Sequence, residues 1–472
     1  MPLIAAALSG LPWPRLGLAA TLASSLGTLA LTVHVALRVV SQGAVVAIPR
    51  WIAVDGLSGV VLLLIAFVSA TSALFSWGYL AANAHETASM RIYYANYNLF
   101  IFSMLAIPMF REPTLVWIIV ELTTVCSALL VSFDNTHEAL EAAWKYVVLS
   151  LMGAAIALLG FLVLFASMQA GGGGAYTWDG LAAAAPKMPP ILLQTAFVLI
   201  LVGLGTKVGL VPMHTWLPDA HSQAPSPVCA LLSGVETTAV LYVILRLFPV
   251  LQAAPGSHAE TWAIVFGLLS VGVAAFLLLQ VRDYKRMFAF STVEHMGIIL
   301  LAAGLGSSSA VRYSALYQAL THTLTKSFCF FAAGVALLAV GTREIASVRG
   351  LIRTSPVAGV SLLFGGLAIA GAPPFAVFLS EFSIFRAGLA EGRYLVIALL
   401  VLFIGIGFFG ILFHVNRMVF GSSERPSRGR VRLPASCLAA LGITGLLVLA
   451  FGVYMPEPLH KLLALGATTL AR

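Results

Sequence analysis

The sequence predicts an all-α protein that crosses a membrane about 13 times, and three observations support this fold class. Hydrophobic residues make up 60% of the 472 positions and charged residues only 9%. Apolar runs of about 20 residues, the length needed to cross a ~30 Å hydrocarbon core, recur from one end of the chain to the other. The polar connections between these runs are too short to form a water-soluble domain. The composition therefore excludes a soluble globular enzyme.

The predicted spans take up most of the chain. Residues 1–12 form an apolar patch too short to cross unaided, and we expect an interfacial piece or the remnant of a helix there. The full spans are predicted at roughly 16–40, 55–77, 94–109, 114–133, 143–168, 191–210, 226–250, 261–281, 287–305, 312–339, 357–388, 394–420 and 434–454.

Lysine and arginine divide unevenly between the two sides of the predicted bundle. Loops on one side carry clusters, at 282–286, 343–353 and 425–432, whereas the other side carries only scattered single cations. Because Lys and Arg collect on cytoplasmic loops, the net charge of +8 indicates membrane topology rather than nucleic-acid binding. We expect a multi-pass protein of the cell inner (plasma) membrane, with its N-terminus in the cytoplasm and its C-terminus outside.

Two predicted spans are interrupted by glycine and proline. One ends near Lys207 and runs into Gly209 and Pro212, and the other carries GAPPF in its middle, at 371–375. Proline frees backbone carbonyls at membrane depth, and paired interruptions of this kind point to the path of a transporter. We expect N-terminal helices (1–93), a first five-helix repeat (94–250), a second, inverted five-helix repeat (261–420) and a C-terminal helix and tail (434–472).

Ionisable side chains inside the apolar spans are the candidate functional residues. Glu121 lies in TLVWIIVELTTVCSALLVSF, and Lys207 ends another apolar run. A charge in hydrocarbon costs about 2.5–3.5 kcal/mol on insertion scales, so it marks a functional site by default. We expect Lys207 to be the ion-pair partner of Glu121. The alternatives are a static pair that braces two helices, and a lysine whose ammonium reaches the membrane interface.

A second group of candidates lies in the later spans. His322 and Lys326 stand four residues apart in QALTHTLTKSFCFFAAG, so they share one helix face. A neutral imidazole relays protons through both of its nitrogens. Glu381 follows the second break and is expected at the exit of such a path, and His295 is a further member. The alternative for each histidine is a polar group satisfied within the core.

Motifs of ordinary active sites are absent from the sequence. It contains no zinc-ligand spacing, phosphate-binding loop, nucleophile elbow or haem motif. The four cysteines stand singly and indicate neither a disulfide framework nor an iron–sulfur site. A GxGxxG at 405–410 lies inside an apolar span with no preceding strand, so it indicates helix packing. We expect no cofactor and no metal in this chain, which would act as a membrane subunit of an oxidoreductase or translocase complex.

Six segments together carry a resemblance to a known family. They are KVGLVPMHTWLPDAHSQAPSPVCALLSG (207–234), VDGLSGVVLLL (54–64), Glu121, QVRDYKRMFAFSTVEHMG (280–297), HTLTKSFCFFAAG (322–334) and GAPPFAVFLSEF (371–382). The chain resembles the antiporter-like membrane subunits shared by respiratory complex I, multisubunit sodium/proton antiporters and energy-converting hydrogenases. The resemblance covers about 50 to 455 and looks closest to component F of hydrogenase-4 and formate-hydrogenlyase-like complexes.

The resemblance implies a bundle of about fourteen helices with a proton path along the membrane midplane. In that picture Glu121 and Lys207 are the coupling pair, Lys326 with His322 is central, and Glu381 lies at the far end. The implied partners are the lipid bilayer, other membrane subunits and a peripheral hydrogenase or dehydrogenase arm with iron–sulfur clusters.

Three departures from the family pattern are expected. We expect the chain to lack the family's first helix and the long lateral helix of the largest complex I antiporter subunit, and Thr238 stands where the family often has a lysine. Glu236 points about 200° away from position 238 on a regular helix. We therefore expect Glu236 to meet a neighbouring helix or subunit, and the relay to pass through water held by Ser233, Thr237 and Thr238. The alternative is a structural acid bonded to local backbone amides.

Three functions fit these observations. The first is a proton-translocating subunit of a redox-driven complex, of the hydrogenase-4 type. The second is a sodium/proton antiporter subunit, and the third is a non-conducting membrane scaffold that anchors a soluble enzyme.

Overall fold

The computed structural model describes residues 1–83, 87–254, 256, 258–422 and 432–471. Part of the predicted arginine-rich loop, with Arg425, Arg428 and Arg430, lies outside the described residues. In chain order the helices are α1 (Pro2–Ser9), α2 (Pro14–Gln42), α3 (Gly56–Ala82), α4 (Thr87–Ala106), α5 (Pro113–Val131), α6 (His137–Ala170), α7 (Trp178–Ala184), α8 (Pro190–Val208), α9 (Trp216–Gln223), α10 (Ser226–Leu231), α11 (Thr237–Leu245), α12 (Phe248–Gln252), α13 (Ala259–Gln280), α14 (Tyr284–Gly304), α15 (Ser309–Val340), α16 (Leu351–Thr354), α17 (Pro356–Ile369), α18 (Ala376–Ala390), α19 (Tyr394–Phe420), α20 (Ala435–Ala450) and α21 (Glu457–Ala471).

Every predicted span coincides with a helix or with a broken helix. Within the described part of the chain, 10 helical segments are long and apolar enough to cross a membrane. The other three predicted spans correspond to α4, to the broken pair α17 and α18, and to the shorter apolar helix α20. The protein is therefore a multi-pass membrane protein, as the composition predicts.

Polar side chains cap several spans where they begin. Asp55, Thr136 and Ser308 accept hydrogen bonds from backbone amides in the first turns of α3, α6 and α15, and Asp283 does the same for α14. These caps satisfy amides that have no partner inside the helix. They fix the boundaries of the helices that carry the candidate residues.

Two elements were not predicted from the sequence, the hairpin between α2 and α3 and the C-terminal helix α21. A two-stranded antiparallel hairpin, β1 (Ala44–Ile48) and β2 (Ile52–Asp55), joins α2 to α3, so the fold is all-α apart from this connection. The apolar run of the hairpin is too short to cross a membrane. It is rich in Val and Ile, which favour β-strands. The N-terminal patch forms the eight-residue helix α1, and α21 packs against α2, α3 and α15.

Both predicted breaks are present. Helix α8 ends at Val208, where Gly209 adopts a positive φ of 84° that favours glycine. Helix α17 ends at Ile369, and Gly371, with φ 77°, leads into α18. A third irregularity was not predicted. Helix α10 passes into α11 through a π-helical segment, Leu232–Glu236. Such segments are frequent at functional sites.

The most buried helices form the centre of the bundle. All the residues of α11 and nearly all of those of α14 are buried, whereas fewer than half of the residues in the most apolar stretches of α19, α2 and α6 are buried. Polar side chains on α11, α14 and α15 are therefore shielded from lipid by other helices. Three of the seven candidate residues lie on these helices, His295 on α14 and His322 and Lys326 on α15.

The loops alternate between two faces. On one face Asp219 contacts Lys145 and Arg286, and the backbone of Arg343 accepts a hydrogen bond from Tyr284. The hairpin, the loop at 107–112 and the segment around α7 meet at the opposite face, where Asp55, Asp179 and Arg246 line a cavity of about 410 Å³. The predicted cation clusters at 282–286 and 343–353 thus share one face.

Candidate functional site

The first cluster of buried charge is centred on Lys207, in the last turn of α8. Its Nζ lies 3.1 Å from Glu236 Oε1, and the two side chains are 3% and 1% exposed. Lys207 also donates hydrogen bonds to the Tyr146 hydroxyl, at 3.0 Å, and to Thr124 Oγ1. The ammonium is therefore held by one carboxylate and two hydroxyls contributed by three other helical segments.

Tyr146 ties the two charges together. Its hydroxyl accepts from Lys207 and donates to Glu236 Oε1 at 3.1 Å, and it lies 2.7 Å from the Ser127 hydroxyl. The other carboxylate oxygen of Glu236, Oε2, is buried and has no hydrogen-bond partner among the described residues. Of the two carboxylate oxygens, Oε1 is thus hydrogen-bonded, and Oε2 has no partner among the described residues.

The expected Glu121–Lys207 ion pair is wrong, because Lys207 pairs with Glu236 instead. Glu121 lies on the half-exposed helix α5, within electrostatic range of both residues, and its Oε2 is buried without a hydrogen-bond partner in the described part of the chain. The expectation paired the two charges because both lie in apolar runs, and the sequence does not show which way Glu236 points. The π-helical segment adds a residue to the turn and changes the direction of the side chains around it, and Glu236 faces α8.

Glu236 does contact a neighbouring helix, as predicted, and it is held by Lys207 and Tyr146 rather than by local backbone amides. The hydroxyls of Thr237 and Thr238 donate to the carbonyls of Ser233 and Gly234, four residues earlier. Each of those two hydroxyls thus donates its hydrogen bond to a backbone carbonyl of the same helical stretch.

The π-helical segment also connects the two clusters. The Ser233 carbonyl lies 3.2 Å from His322 Nε2, and the Gly234 carbonyl accepts from the Thr323 hydroxyl at 2.7 Å. Glu236, at the end of the same segment, faces Lys207. One irregular turn therefore touches the Lys207 cluster through its side chain and the His322 cluster through its carbonyls.

The second cluster begins with a stripe along α15. Gln318, His322 and Lys326 follow one another at intervals of four residues, so they lie on one face of the helix. The side chains are 0% exposed. Lys326 Nζ donates to the Phe288 carbonyl at 2.6 Å and to the Ser291 hydroxyl of α14. Its hydrogen-bond partners are neutral oxygens, in contrast to the carboxylate beside Lys207.

A chain of hydrogen bonds continues from this stripe to the second broken helix. Gln318 Nε2 lies 3.0 Å from His295 Nδ1, and Gln318 Oε1 accepts from the Ser380 hydroxyl at 2.5 Å. The neighbouring Glu381 is buried, and its carboxylate packs against Gly371 in the break. The structure therefore brings His295 and His322 together. It places Glu381 directly after Ser380, where this series of hydrogen bonds ends.

The two histidines make similar contacts in this network. Each Nε2 faces a carbonyl, Ile369 for His295 and Ser233 for His322, so each Nε2 carries the proton. His295 Nδ1 then accepts from Gln318, whereas His322 Nδ1 has no hydrogen-bond partner within the described ranges. The ring centroids are 5.3 Å apart.

Sequence reasoning missed several residues of the site. Gln318 carries a readable signal, since it continues the four-residue spacing of His322 and Lys326. Tyr146 and Thr124 carry none, because their importance arises from how α5, α6 and α8 pack. Among the residues that the structure describes, no group of three or more His, Cys, Asp or Glu side chains could hold a metal ion.

Comparison with known proteins gives one matching family and several similar chains. The family described as "NADH:quinone oxidoreductase/Mrp antiporter, TM" matches residues 111–407. The chain is 38% identical over 412 residues to the hydrogenase-4 component F homolog of Methylacidiphilum infernorum (isolate V4), with 85% of each chain covered. It is 25% identical to a chain of the archaeal membrane-bound sulfane sulfur reductase, with a TM-score of 0.88 and 100% and 96% of the two chains covered. A chain of the Mrp complex from Dietzia sp. DQ12-45-1b shares the fold, at 20% identity, with a TM-score of 0.89 and the same coverage.

Proposed function

The chain belongs to the NADH:quinone oxidoreductase/Mrp antiporter membrane family, and from that premise we propose that it translocates protons as a member of a redox-driven complex of the hydrogenase-4 type. The observation that carries the proposal is the pair of buried lysine clusters joined by the π-helical segment. The likeness to a hydrogenase-4 component F homolog supports the choice of complex.

The proposed path runs through the centre of the bundle. Protons pass between Glu121 and the Lys207–Glu236 pair, then to His322 and Lys326, and through His295 and Gln318 to Glu381. The His322 Nδ1 and the Glu236 Oε2, both without a hydrogen-bond partner among the described residues, are buried acceptors along this path. Each of them can take a proton without first breaking a hydrogen bond.

The Lys207–Glu236 pair acts as the coupling element. Glu236 Oε1 lies 3.1 Å from Lys207 Nζ, and both side chains are buried. A proton gained by Glu236 therefore leaves the Lys207 ammonium buried without its counter-charge. Movement in one direction requires energy from outside this chain, and we assign that role to electron transfer in a peripheral arm with iron–sulfur clusters.

The proposed location is the inner membrane of the cell, with the cation-rich face in the cytoplasm. Ser427, in the arginine-rich loop, is a site for labelling that lies outside the described residues. Ala346, which is exposed between 343 and 353, serves the same purpose, and Ala47 of the hairpin is the matched site on the opposite face. The four native cysteines are buried. In intact cells an impermeant thiol reagent should label Ala47→Cys and spare Ala346→Cys; the reverse pattern would invert the orientation.

The test of the function is proton translocation by the complete complex in membrane vesicles, with hydrogen as the electron donor. Glu121→Gln should abolish coupled proton movement and leave the complex assembled, because the amide keeps the shape and loses the titratable group. Retained electron transfer in the presence of a protonophore is the control for assembly. Proton movement at the wild-type rate in Glu121→Gln vesicles would refute the proposed role of this acid. A rate that depends on sodium rather than on protons would favour the antiporter alternative.

A further inference from the structure

Glu294 is a buried acid in the middle of α14 that the path above does not use. Its side chain is 4% exposed, and it precedes His295 in the chain. Its carboxylate reaches across to α19, where it packs against Gly407, and a methyl group at that position would collide with Glu294 Oε1. An acid buried at membrane depth is expensive. The position therefore calls for an explanation.

The same arrangement occurs at Glu381. There the carboxylate packs against Gly371, and a methyl group at Gly371 would collide with Glu381 Oε2. Both acids are thus accommodated by a glycine on a different element from their own. The fold leaves space for a carboxyl group at two places in the second half of the bundle.

Glu294 interacts with two other ionisable groups of this half. Lys326 reaches α14 through hydrogen bonds to the Phe288 carbonyl and the Ser291 hydroxyl, and Ser291 stands three residues before Glu294, about one turn along the helix. Glu294 also interacts electrostatically with Lys326 and with Glu381. These two groups are therefore the candidates to exchange a proton with Glu294.

Glu294 also has a counterpart in the first half. In the predicted division into repeats, α5 is the second helix of the first repeat and α14 is the second helix of the second. Each carries one acid near its middle, Glu121 and Glu294. Glu121 lies within electrostatic range of Lys207, as Glu294 does of Lys326.

We propose that Glu294 is a further proton-carrying residue, which takes a proton from Lys326 and passes it to Glu381; the proposal rests on the proposed function. In the first step an N–H bond of the Lys326 ammonium breaks and an O–H bond forms on the Glu294 carboxylate, leaving a neutral amine and a carboxylic acid. In the second step that O–H bond breaks and one forms on the Glu381 carboxylate. No electrons are exchanged, and the proton count is unchanged.

The test uses three variants of the complete complex in vesicles. Glu294→Gln removes the titratable group and should lower hydrogen-driven proton translocation about tenfold or more, because a positioned proton carrier contributes at least that much to a transfer. Gly407→Ala leaves all titratable groups in place but displaces the carboxylate, and it should also lower the rate. Gly405→Ala is the matched control on the same helix, since no described atom lies within 4 Å of a methyl group there, and it should translocate like the wild type.

A second readout distinguishes a proton carrier from a structural acid. Infrared difference spectra of proton-loaded minus unloaded complex should contain a carboxylic acid C=O band that is absent in Glu294→Gln and shifted in Gly407→Ala. If Glu294→Gln fails to assemble, the infrared spectrum of Gly407→Ala is the test. A shifted carboxylic acid C=O band supports the proposal, and an unchanged spectrum overturns it.

The outcomes separate this proposal from the proposed function. Wild-type translocation by Glu294→Gln, with Lys326→Met inactive, would overturn the role of Glu294 and leave the function intact. Wild-type translocation by Lys326→Met and Glu121→Gln as well would overturn the function itself.

Discussion

The Lys207 and Lys326 clusters hold a buried lysine in two different ways. Lys207 is 3% exposed and has a carboxylate 3.1 Å away. Lys326 is 0% exposed and is held by a carbonyl and a hydroxyl, while its nearest acids act on it only at longer range. Lys207 thus has a counter-charge at ion-pair distance, whereas the hydrogen-bond partners of Lys326 among the described residues are neutral. The same substitution should therefore have different consequences for stability in the two clusters.

The largest expected effect is that of Lys207→Met. The change leaves Glu236 buried without its counter-charge, and removing one partner of a buried pair costs about 3–5 kcal/mol. We expect a large fall in the thermal unfolding midpoint of the purified protein and in the amount of assembled complex. Lys207→Met with Glu236→Gln should recover much of the loss, because neither charge remains.

The control for this experiment is Lys145→Met, which removes two ion pairs of a lysine that is 47% exposed, with Glu141 at 50% and Asp219 at 21% exposed. Such pairs contribute about 0–1 kcal/mol. If the double variant at 207 and 236 were as unstable as the sum of the two single variants, the energetic coupling inferred from the 3.1 Å contact would be absent.

Lys326→Met should change the free energy of unfolding much less than Lys207→Met does. Among the described residues, no carboxylate at hydrogen-bond distance loses its partner, and the lost hydrogen bonds are offset by removing a buried charge. Proton translocation should nevertheless be lost. Unfolding of the purified variant and translocation in vesicles measure the two effects separately. A destabilisation as large as that of Lys207→Met would show that the two lysines are held alike.

The smallest effect concerns the ion pair between Asp55, which caps the start of α3, and Arg246, which follows α11. Burial raises the pKa of the Asp55 carboxyl, but the charge and hydrogen bonds of Arg246 and the amide of Ser58 outweigh it, so the pKa lies below its usual 3.8. A lowered folded pKa gives stability that is present above the unfolded pKa of about 3.9 and is lost as the pH falls through the folded pKa.

Asp55→Asn should therefore be less stable than the wild type at pH 7, and the difference should shrink below about pH 4. The unfolding midpoint as a function of pH is the measurement. Asp179→Asn is the matched control, because Asp179 also pairs with an arginine but is 78% exposed. A difference that stays constant from neutral to acid pH would mean that the Arg246 ion pair does not stabilise the fold.

Much of the fold could be predicted from the sequence, because apolar runs of membrane-spanning length leave few alternatives. The breaks at Gly209 and Gly371 were also predictable, since glycine and proline act locally. The hairpin was not, because its short apolar run resembles part of a connection. The C-terminal helix α21 was not predicted either, as it is stabilised by packing on α3 and α15.

The candidate site divides in the same way. The stripe on α15 follows from spacing along one helix, which is local information. The partner of Lys207 depends on the direction in which Glu236 points, and that direction is set by the π-helical segment. No residue type marks such a segment in the sequence, so the sequence alone does not show that Glu236 faces Lys207.

The most direct test of the account is proton translocation by Glu236→Gln, measured beside Thr238→Lys in vesicles that contain the complete complex. Glu236 lies at the end of the π-helical segment whose side chains and carbonyls contact both clusters. The account predicts that Glu236→Gln abolishes hydrogen-driven proton movement while protonophore-treated vesicles retain electron transfer, and that Thr238→Lys brings no gain. Normal translocation by Glu236→Gln together with a higher rate in Thr238→Lys would contradict it, because the acid would then be structural and the path would pass through position 238.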